Sequence, residues 1–412
     1  MNNKPLNIFI SHPSSFLTDN QANGDGLAAF EFINRLAERG HKIHVAVASM
    51  DIKRKFSDNI TLYPVNLTSP FCVFKSLEYI VRVKLIFNQL IRQHNVDIIH
   101  QLNPVNPGLS CLLVNNKIPT VLGLFWPNWP ELSLIKKSKR SFVQTLLYKL
   151  VNYIVKKCDS WQQTKASALL LSTPAAIQQI HQPDICQNKI HILPYGIDPT
   201  DASLVDCHDA RIDRNKQLSI LYLASINYRK GIFTLLEAFE RVILSIPACK
   251  LAIAGTGEDL QLVREKIQQM SCSSQITLLG NVPRENVLEV MSQCTVYCLP
   301  SYGEPFGISA LEAMSCGKPV VATDAGGLAY LVDNKGGIKV PSKDEIALSQ
   351  ALIKILNSPQ LQQKMGQHNL SLVNNTYSWN KIIERLEKIY YSLSIPKYEL
   401  ENKQKKLKLA NS

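Results

Sequence analysis

The stretch "SYGEPFGISALEAMSCGKPVVATDAGG", Ser301–Gly327, carries two carboxylates, Glu304 and Glu312, eight residues apart around a Gly-rich turn. A strand-like run, "TVYCLP" (Thr295–Pro300), leads into it, and the apolar periodicity that follows predicts a helix beginning beside Gly307. Glu304 then lies in the loop and Glu312 about two turns into the helix, so both can face one ligand. A carboxylate accepts hydrogen bonds from sugar hydroxyls, and the amides of Phe306, Gly307 and Ile308 at a helix start suit an anion. Spacing alone leaves a plainer alternative: Glu304 as a partner of the helix dipole and Glu312 as an exposed helix residue.

Strand and helix signals alternate on both sides of this stretch, which predicts α/β layers with parallel sheets. The first half reads as "LNIFIS", a helix "GLAAFEFINRLAERG" with Gly40 at its exit, then "HKIHVAVAS", "VDIIHQL" and "IPTVLGLF". The second half repeats the alternation through "LSILYLASI", "CKLAIAG", "SQITLLGNV", "TVYCLPS" and "KPVVATDAGG". A chain of 412 residues can bury two cores. The expected division is a doubly wound domain over 1–198 and a second over 199–376. A closing helix over 377–395 should return to the first domain, and 396–412 should form a basic flexible tail. The polar run "PTDASLVDCHDARIDRNKQ" reads as the linker. Open sheets of this kind bind ligands beyond the strand carboxyl ends, so chemistry is expected in the cleft between the domains.

Three further turns fall after strands. "NGDGLAA" (Asn23–Ala29) opens a helix, "NYRKG" (Asn227–Gly231) presents Lys230 to an anion, and "AGTGED" (Ala254–Asp259) joins a strand to a helix. Each alone is ordinary turn chemistry. Three such turns in one domain, counting the opening stretch, make a polyanion site credible.

Composition bounds the class. No apolar run reaches the length of a membrane span and no secretory pattern opens the chain, so a cytoplasmic location is expected. Ten cysteines without a C-x-x-C pair read as reduced thiols. The net charge of +12 is uneven: Leu132–Cys158 holds seven Lys/Arg and no acid. Within it Val143, Leu146, Leu147, Leu150 and Ile154 follow helical spacing. That basic amphipathic helix either buries its apolar side in the usual way or rests on an anionic membrane surface. No binding motif points to nucleic acid.

The block Ser301–Gly327 resembles the E-x7-E region of retaining glycosyltransferases of family 4, which have the two-domain GT-B fold. The resemblance covers nearly the whole chain, since "LAERGH", "LPYGID", "RKG", "AGTGE", "LGNV" and the closing "YSW" fall in the family's order. It implies two Rossmann-like doubly wound domains facing a central cleft. It also implies retaining transfer of a hexose-type sugar from a UDP- or GDP-linked donor to a glycan or lipid-linked acceptor. Lys230 and the amides near Gly307 and Ile308 would meet the donor diphosphate, Glu312 the ribose and Glu304 the transferred sugar. Asn281 and Val282 would border the base, and Gly24 or Gly26 would let backbone approach the phosphates.

Three departures stand out. The family's usual Gly-Arg reads Ala224-Ser225 here, leaving Arg229 as the substitute cation. The linker's usual Asn is Tyr195. The histidine that often follows the "PTVLGLF" strand is replaced by "WPNWP" (Trp126–Pro130). His100 is then the first candidate to touch donor sugar or acceptor and His12 the second, with Trp126 and Trp129 as an acceptor platform. No D-x-D occurs, so neither a metal nor another cofactor is expected. Two competing classes remain: a non-catalytic sugar-nucleotide-binding protein, and an NAD-dependent oxidoreductase using "GDGLAA" with Asp51 at the end of the next strand.

Overall fold

The computed structural model describes residues 4–12, 17–19, 24–68, 72–102, 110–114, 117–125, 142–199 and 217–410. The N-terminal sheet contains β1 (Asn7–His12), β2 (Lys42–Val47), β3 (Ile60–Pro64), β4 (Ile98–Gln101), β5 (Thr120–Phe125), β6 (Ala168–Leu171) and β7 (Ile190–Ile192). All pair in parallel, in the order β3-β2-β1-β4-β5-β6-β7. The second sheet contains β8 (Ser219–Leu223), β9 (Lys250–Ala254), β10 (Ile276–Gly280), β11 (Val296–Leu299), β12 (Val320–Thr323) and β13 (Gly337–Val340). Its order, β10-β9-β8-β11-β12-β13, is again wholly parallel. Both sheets reverse direction between their first and fourth strands, and that switch point opens the crevice where doubly wound folds bind ligands.

Helices cover both faces of the N-terminal sheet, so central residues such as Ile8, Phe9 and Ile10 are buried on either side. Helix α1 (Gly24–Glu38) seals one face with Ala29, Phe32, Ile33 and Leu36, at the spacing a helix requires. It ends as its sequence predicts. Gly40 adopts φ +91°, its amide reaches the Ala37 carbonyl at 2.9 Å, and the His41 amide reaches that of Leu36 at 3.2 Å. Helices α2 (Cys72–Gln93) and α3 (Phe142–Lys165) lie on the opposite face.

The two domains meet at a hinge built from the "LPYGID" segment and the start of the last helix, α4 (Trp379–Ala410). Ile197 and Ser378 form a parallel bridge, and the Trp379 ring lies where a β-carbon on Gly196 would stand, 2.5 Å away. Tyr195 packs edge-on against Trp379 with centroids 5.0 Å apart. Helix α4 then follows the N-terminal domain: Glu387 pairs with Arg39 at 2.9 Å and His41 at 3.0 Å, and Tyr391 donates to the Lys4 carbonyl.

Two expectations need correction. The tail does not start at residue 396, because α4 continues to Ala410. "YELENKQKKLKLA" is rich in strong helix formers, and extending an existing helix avoids the cost of nucleation. Asp51 does not end β2. It belongs to a two-residue strand, Met50–Asp51, paired with Leu17–Thr18, away from the position a ribose-binding acid would hold. The linker residues 200–216, and the "WPNWP" loop with Trp126 and Trp129, lie outside the described residues.

Candidate active site

Three loops at the carboxyl ends of β8, β9 and β11 are pressed together, and glycines make this possible. Gly231 adopts φ +71°, and a β-carbon there would stand 1.9 Å from the Pro300 carbonyl oxygen. The Tyr302 amide and the Ser301 hydroxyl both donate to the Arg229 carbonyl, at 2.8 and 3.2 Å. On the other side Gly257 backs onto Ile226, and Asp259 accepts from the Tyr228 amide at 2.6 Å. Asn227 caps the short turn Tyr228–Lys230 by accepting from the Lys230 amide at 3.2 Å. Lys230 is thereby aimed across the crevice.

Its ammonium meets Glu304, with Nζ 2.5 Å from Oε2 and both side chains largely buried. Glu304 is positioned by the trailing glycine pair. The Gly327 amide donates to the Glu304 carbonyl at 2.6 Å, and a β-carbon on Gly326 (φ +56°) would stand 2.4 Å from that same oxygen. Gly307, at φ +98°, then turns the chain into the helix Ile308–Ser315. Glu312 sits on that helix and is only 2% exposed, so the reading of it as an exposed residue fails. It is paired with the guanidinium of Arg284, in the loop after β10. Burial pushes the Glu312 carboxyl above the usual carboxylate range while Arg284 pulls it down. Burial opposes the charge on Arg284, but Glu312 holds it firmly cationic, with Glu31 of helix α1 adding to the field. The influence of Glu31 brings the N-terminal domain to the edge of the site. Each carboxylate thus faces its own cation, Glu304 just before and Glu312 within the helix that starts after Gly307.

Comparison with known proteins agrees with this geometry. Residues 22–201 match the family Glycosyltransferase Family 4, and residues 208–370 match Glycosyl transferases group 1. The chain belongs to the group 1, family 4 glycosyltransferases. It is 22% identical to an N-acetyl-alpha-D-glucosaminyl L-malate synthase of Bacillus anthracis over 90% of this chain and 94% of that protein. It is 29% identical to a D-inositol 3-phosphate glycosyltransferase of Corynebacterium jeikeium, over 57% of this chain and 60% of that one. The structure of HepE from Anabaena in complex with UDP superposes with a TM-score of 0.67 at 15% identity, covering 94% and 100% of the two chains. The fold is GT-B.

In this glycosyltransferase the other expected residues fall in different places. Ser225 lies in the Lys230 loop, where its hydroxyl accepts from the side-chain amide of Asn227, Nδ2, at 3.1 Å. Asn281 and Val282 follow β10, whose Gly280 carbonyl accepts from the Gly255 amide, so their loop adjoins the same cluster. Phe306 is buried and its ring faces Tyr195. Gly24 and Gly26 occupy the first turn of α1, on the same helix as Glu31. His12 is buried at the end of β1.

His100 is a correction. It is fully enclosed and both ring nitrogens are taken: Nε2 donates to the Gly123 carbonyl and Nδ1 accepts from the Tyr390 hydroxyl, each at 2.6 Å. Gly123 sits at a register shift in β5 with φ +128°, which presents its carbonyl to the ring. Desolvation lowers the His100 pKa to about 4, so the ring is neutral. Its contacts join two strands to α4, and it touches no open crevice.

Sequence reasoning missed Arg284. "NVPRENV" reads as a polar surface loop, and no spacing rule connects residue 284 to a glutamate 28 positions on. Among the described residues no group of three or more His, Cys, Asp and Glu is placed to hold a metal ion.

Proposed function

We propose that the protein moves a hexose-type sugar from a UDP- or GDP-linked donor to a glycan or lipid-linked acceptor, with retention at the anomeric carbon and without a bound metal. The observation that carries this reading is the Lys230–Glu304 pair at the meeting point of three glycine-shaped loops. On donor binding, Lys230 would exchange Glu304 for the diphosphate, with helix-start amides around Gly307 and Ile308 sharing the charge. Arg229, the next residue in the chain, would take the part of the family's usual arginine. Glu312 would take the ribose hydroxyls, and Asn281 and Val282 would flank the base.

In the transfer step the bond from anomeric carbon to phosphate oxygen breaks while the acceptor oxygen bonds to the same face of that carbon. The acceptor proton passes to the departing phosphate oxygen. Glu304, released from Lys230, would orient the sugar and stabilise positive charge on its ring. Lysine, arginine and amides do the electrostatic work that a metal does elsewhere, which is the ground for expecting metal independence. A cytoplasmic location, peripheral to the membrane, fits a lipid-linked acceptor.

A thermal-shift panel with UDP, GDP, ADP and NAD tests the donor class. A ligand at about 100 times its dissociation constant adds roughly 2.7 kcal/mol, which is readily seen. Stabilisation by one nucleoside diphosphate, lost in Lys230→Ala, is the expected result, and a response to NAD alone defeats the proposal. Because Ser225 supplies no cation where the family's arginine stands, a non-catalytic sugar-nucleotide-binding protein is the second reading. Tight nucleotide binding with neither transfer nor donor hydrolysis would favour it.

A further inference from the structure

Helices α2 and α3, with the short turn Cys111–Leu113, cover one face of the N-terminal sheet through Tyr79, Val83, Phe87, Cys111 and Cys158. Their outward sides are apolar. On α3 the stripe that periodicity would bury is turned to solvent: Leu146, Leu150 and Tyr153 are 60%, 55% and 61% exposed, with Ile154 and Trp161 exposed beside them. The inward side of the helix is mixed: Val151 and Cys158 pack against the domain, and beside them lies a buried polar network. Asp159 is buried and accepts from the side-chain Nε2 groups of Gln162 and Gln163 at 3.1 and 3.0 Å and from Nε2 of His181 at 2.9 Å. That buried network fixes the rotation of α3, so the apolar stripe cannot turn inward without orphaning it. Val81 and Leu85 of α2 and Leu112 of the turn extend the exposed apolar surface.

Charge selects the occupant. Helices α2 and α3 together carry eight Lys/Arg and two acids. Both acids are occupied: Glu78 pairs with Arg82 at 2.8 Å, and Asp159 lies inside its network. Lys149, Lys156 and Lys157 are exposed around the stripe, and the Lys157 ammonium lies 5.6 Å from the centre of the Tyr153 ring. Exposed Leu and Ile flanked by Lys, with Tyr and Trp rings alongside, match the chemistry of a headgroup–acyl boundary. No described helix is long and apolar enough to cross a membrane.

We propose that the outward face of α2 and α3 is a docking surface for an anionic lipid bilayer. Leu146, Leu150, Tyr153 and Trp161 enter the interface, and Lys149, Lys156 and Lys157 pair with lipid phosphates. This surface lies on the N-terminal domain, apart from the Lys230–Glu304 crevice, and stands independently of the transfer chemistry.

The test is sedimentation of the full-length protein with phosphatidylcholine vesicles, with and without phosphatidylglycerol, at low and high salt. The wild type should pellet with the anionic vesicles alone and be released by salt. Each lysine near the surface strengthens partitioning about fivefold, so Lys156→Glu/Lys157→Glu should weaken it by at least roughly 25-fold. Leu150→Ser/Tyr153→Ser should weaken binding at every salt concentration. Because these side chains are exposed, both variants should keep the wild-type urea midpoint. The proposal is overturned if the wild type stays in the supernatant at low salt, or if both variants bind as it does. It is equally overturned if the wild type is a dimer that Leu150→Ser/Tyr153→Ser dissociates, since a second copy would then cover the face.

Discussion

Replacing Glu304 by Gln should tighten nucleoside diphosphate binding while it slows transfer. In the free protein Lys230 is held 2.5 Å from Glu304, and a diphosphate must take it away. The gross Coulomb attraction at that distance is about 6–7 kcal/mol at an effective dielectric constant near 20. Desolvation and hydrogen bonds to water offset most of this, leaving about 1.5–3 kcal/mol for a charge-assisted hydrogen bond. A glutamine still accepts from the ammonium, so roughly half of that is recovered, and removing a negative charge beside the phosphates works in the same direction. Glu304→Gln should therefore bind UDP or GDP about tenfold more tightly, measured by titration calorimetry, with kcat for sugar transfer falling steeply. Lys230→Met should do the opposite, weakening the nucleotide by about ten- to a hundredfold. If Glu304→Gln bound the nucleotide no better than wild type, the exchange of Lys230 between carboxylate and diphosphate would be wrong.

Arg284→Met should leave Glu312 buried without its cation, costing toward the lower end of ~3–5 kcal/mol because Arg284 is partly solvated. The Glu312 carboxyl is already raised by burial, and losing Arg284 raises it further, so its protonated form suits the fold. The variant should keep its stability below the ordinary glutamate pKa and lose it as pH rises through the raised value, seen as urea midpoints falling from acid to neutral pH. Gly326→Ala must displace the Glu304 backbone from 2.4 Å, at φ +56°, and should abolish nucleotide stabilisation in a thermal-shift assay while the N-terminal domain stays folded. Tyr390→Phe leaves Nδ1 of His100 unpaired and should cost about 1–3 kcal/mol by urea unfolding, with kcat unchanged. His100, lowered to about 4 from an ordinary 6.5, contributes stability that is present above 6.5 and is lost as pH falls toward 4. A His100→Gln variant should flatten that acid limb.

Local chemistry made much of the architecture legible. Runs such as "NIFISH" and "KLAIA" are too apolar for any place but a sheet buried on both faces, and alternation with amphipathic helices permits only parallel, doubly wound layers. The glycines of "RKG", "AGTGE" and the pair at 326–327 announced tight turns after strands, and the two glutamates are found beside them. A left-handed turn and a helix start are decided within a few residues, so a linear string records them.

Tertiary structure alone decided which partner each polar group meets. The pairing of Glu312 with Arg284 depends on how the β10 loop folds over a helix far along the chain, and nothing local to either residue encodes it. His100 shows the same principle: as a sequence it is a histidine at a strand end, suited to catalysis, and only the arrival of Tyr390 from the last helix makes it structural. The outward turn of α3 is the third case. Periodicity assigns Leu146, Leu150 and Ile154 to one side of the helix, but the buried Asp159 network decides that this side faces out. Periodicity fixes which residues share a face, because that follows from helix geometry. It is the competition among distant groups for burial and hydrogen bonds that chooses the direction of the face, and that competition is settled only when the whole chain packs.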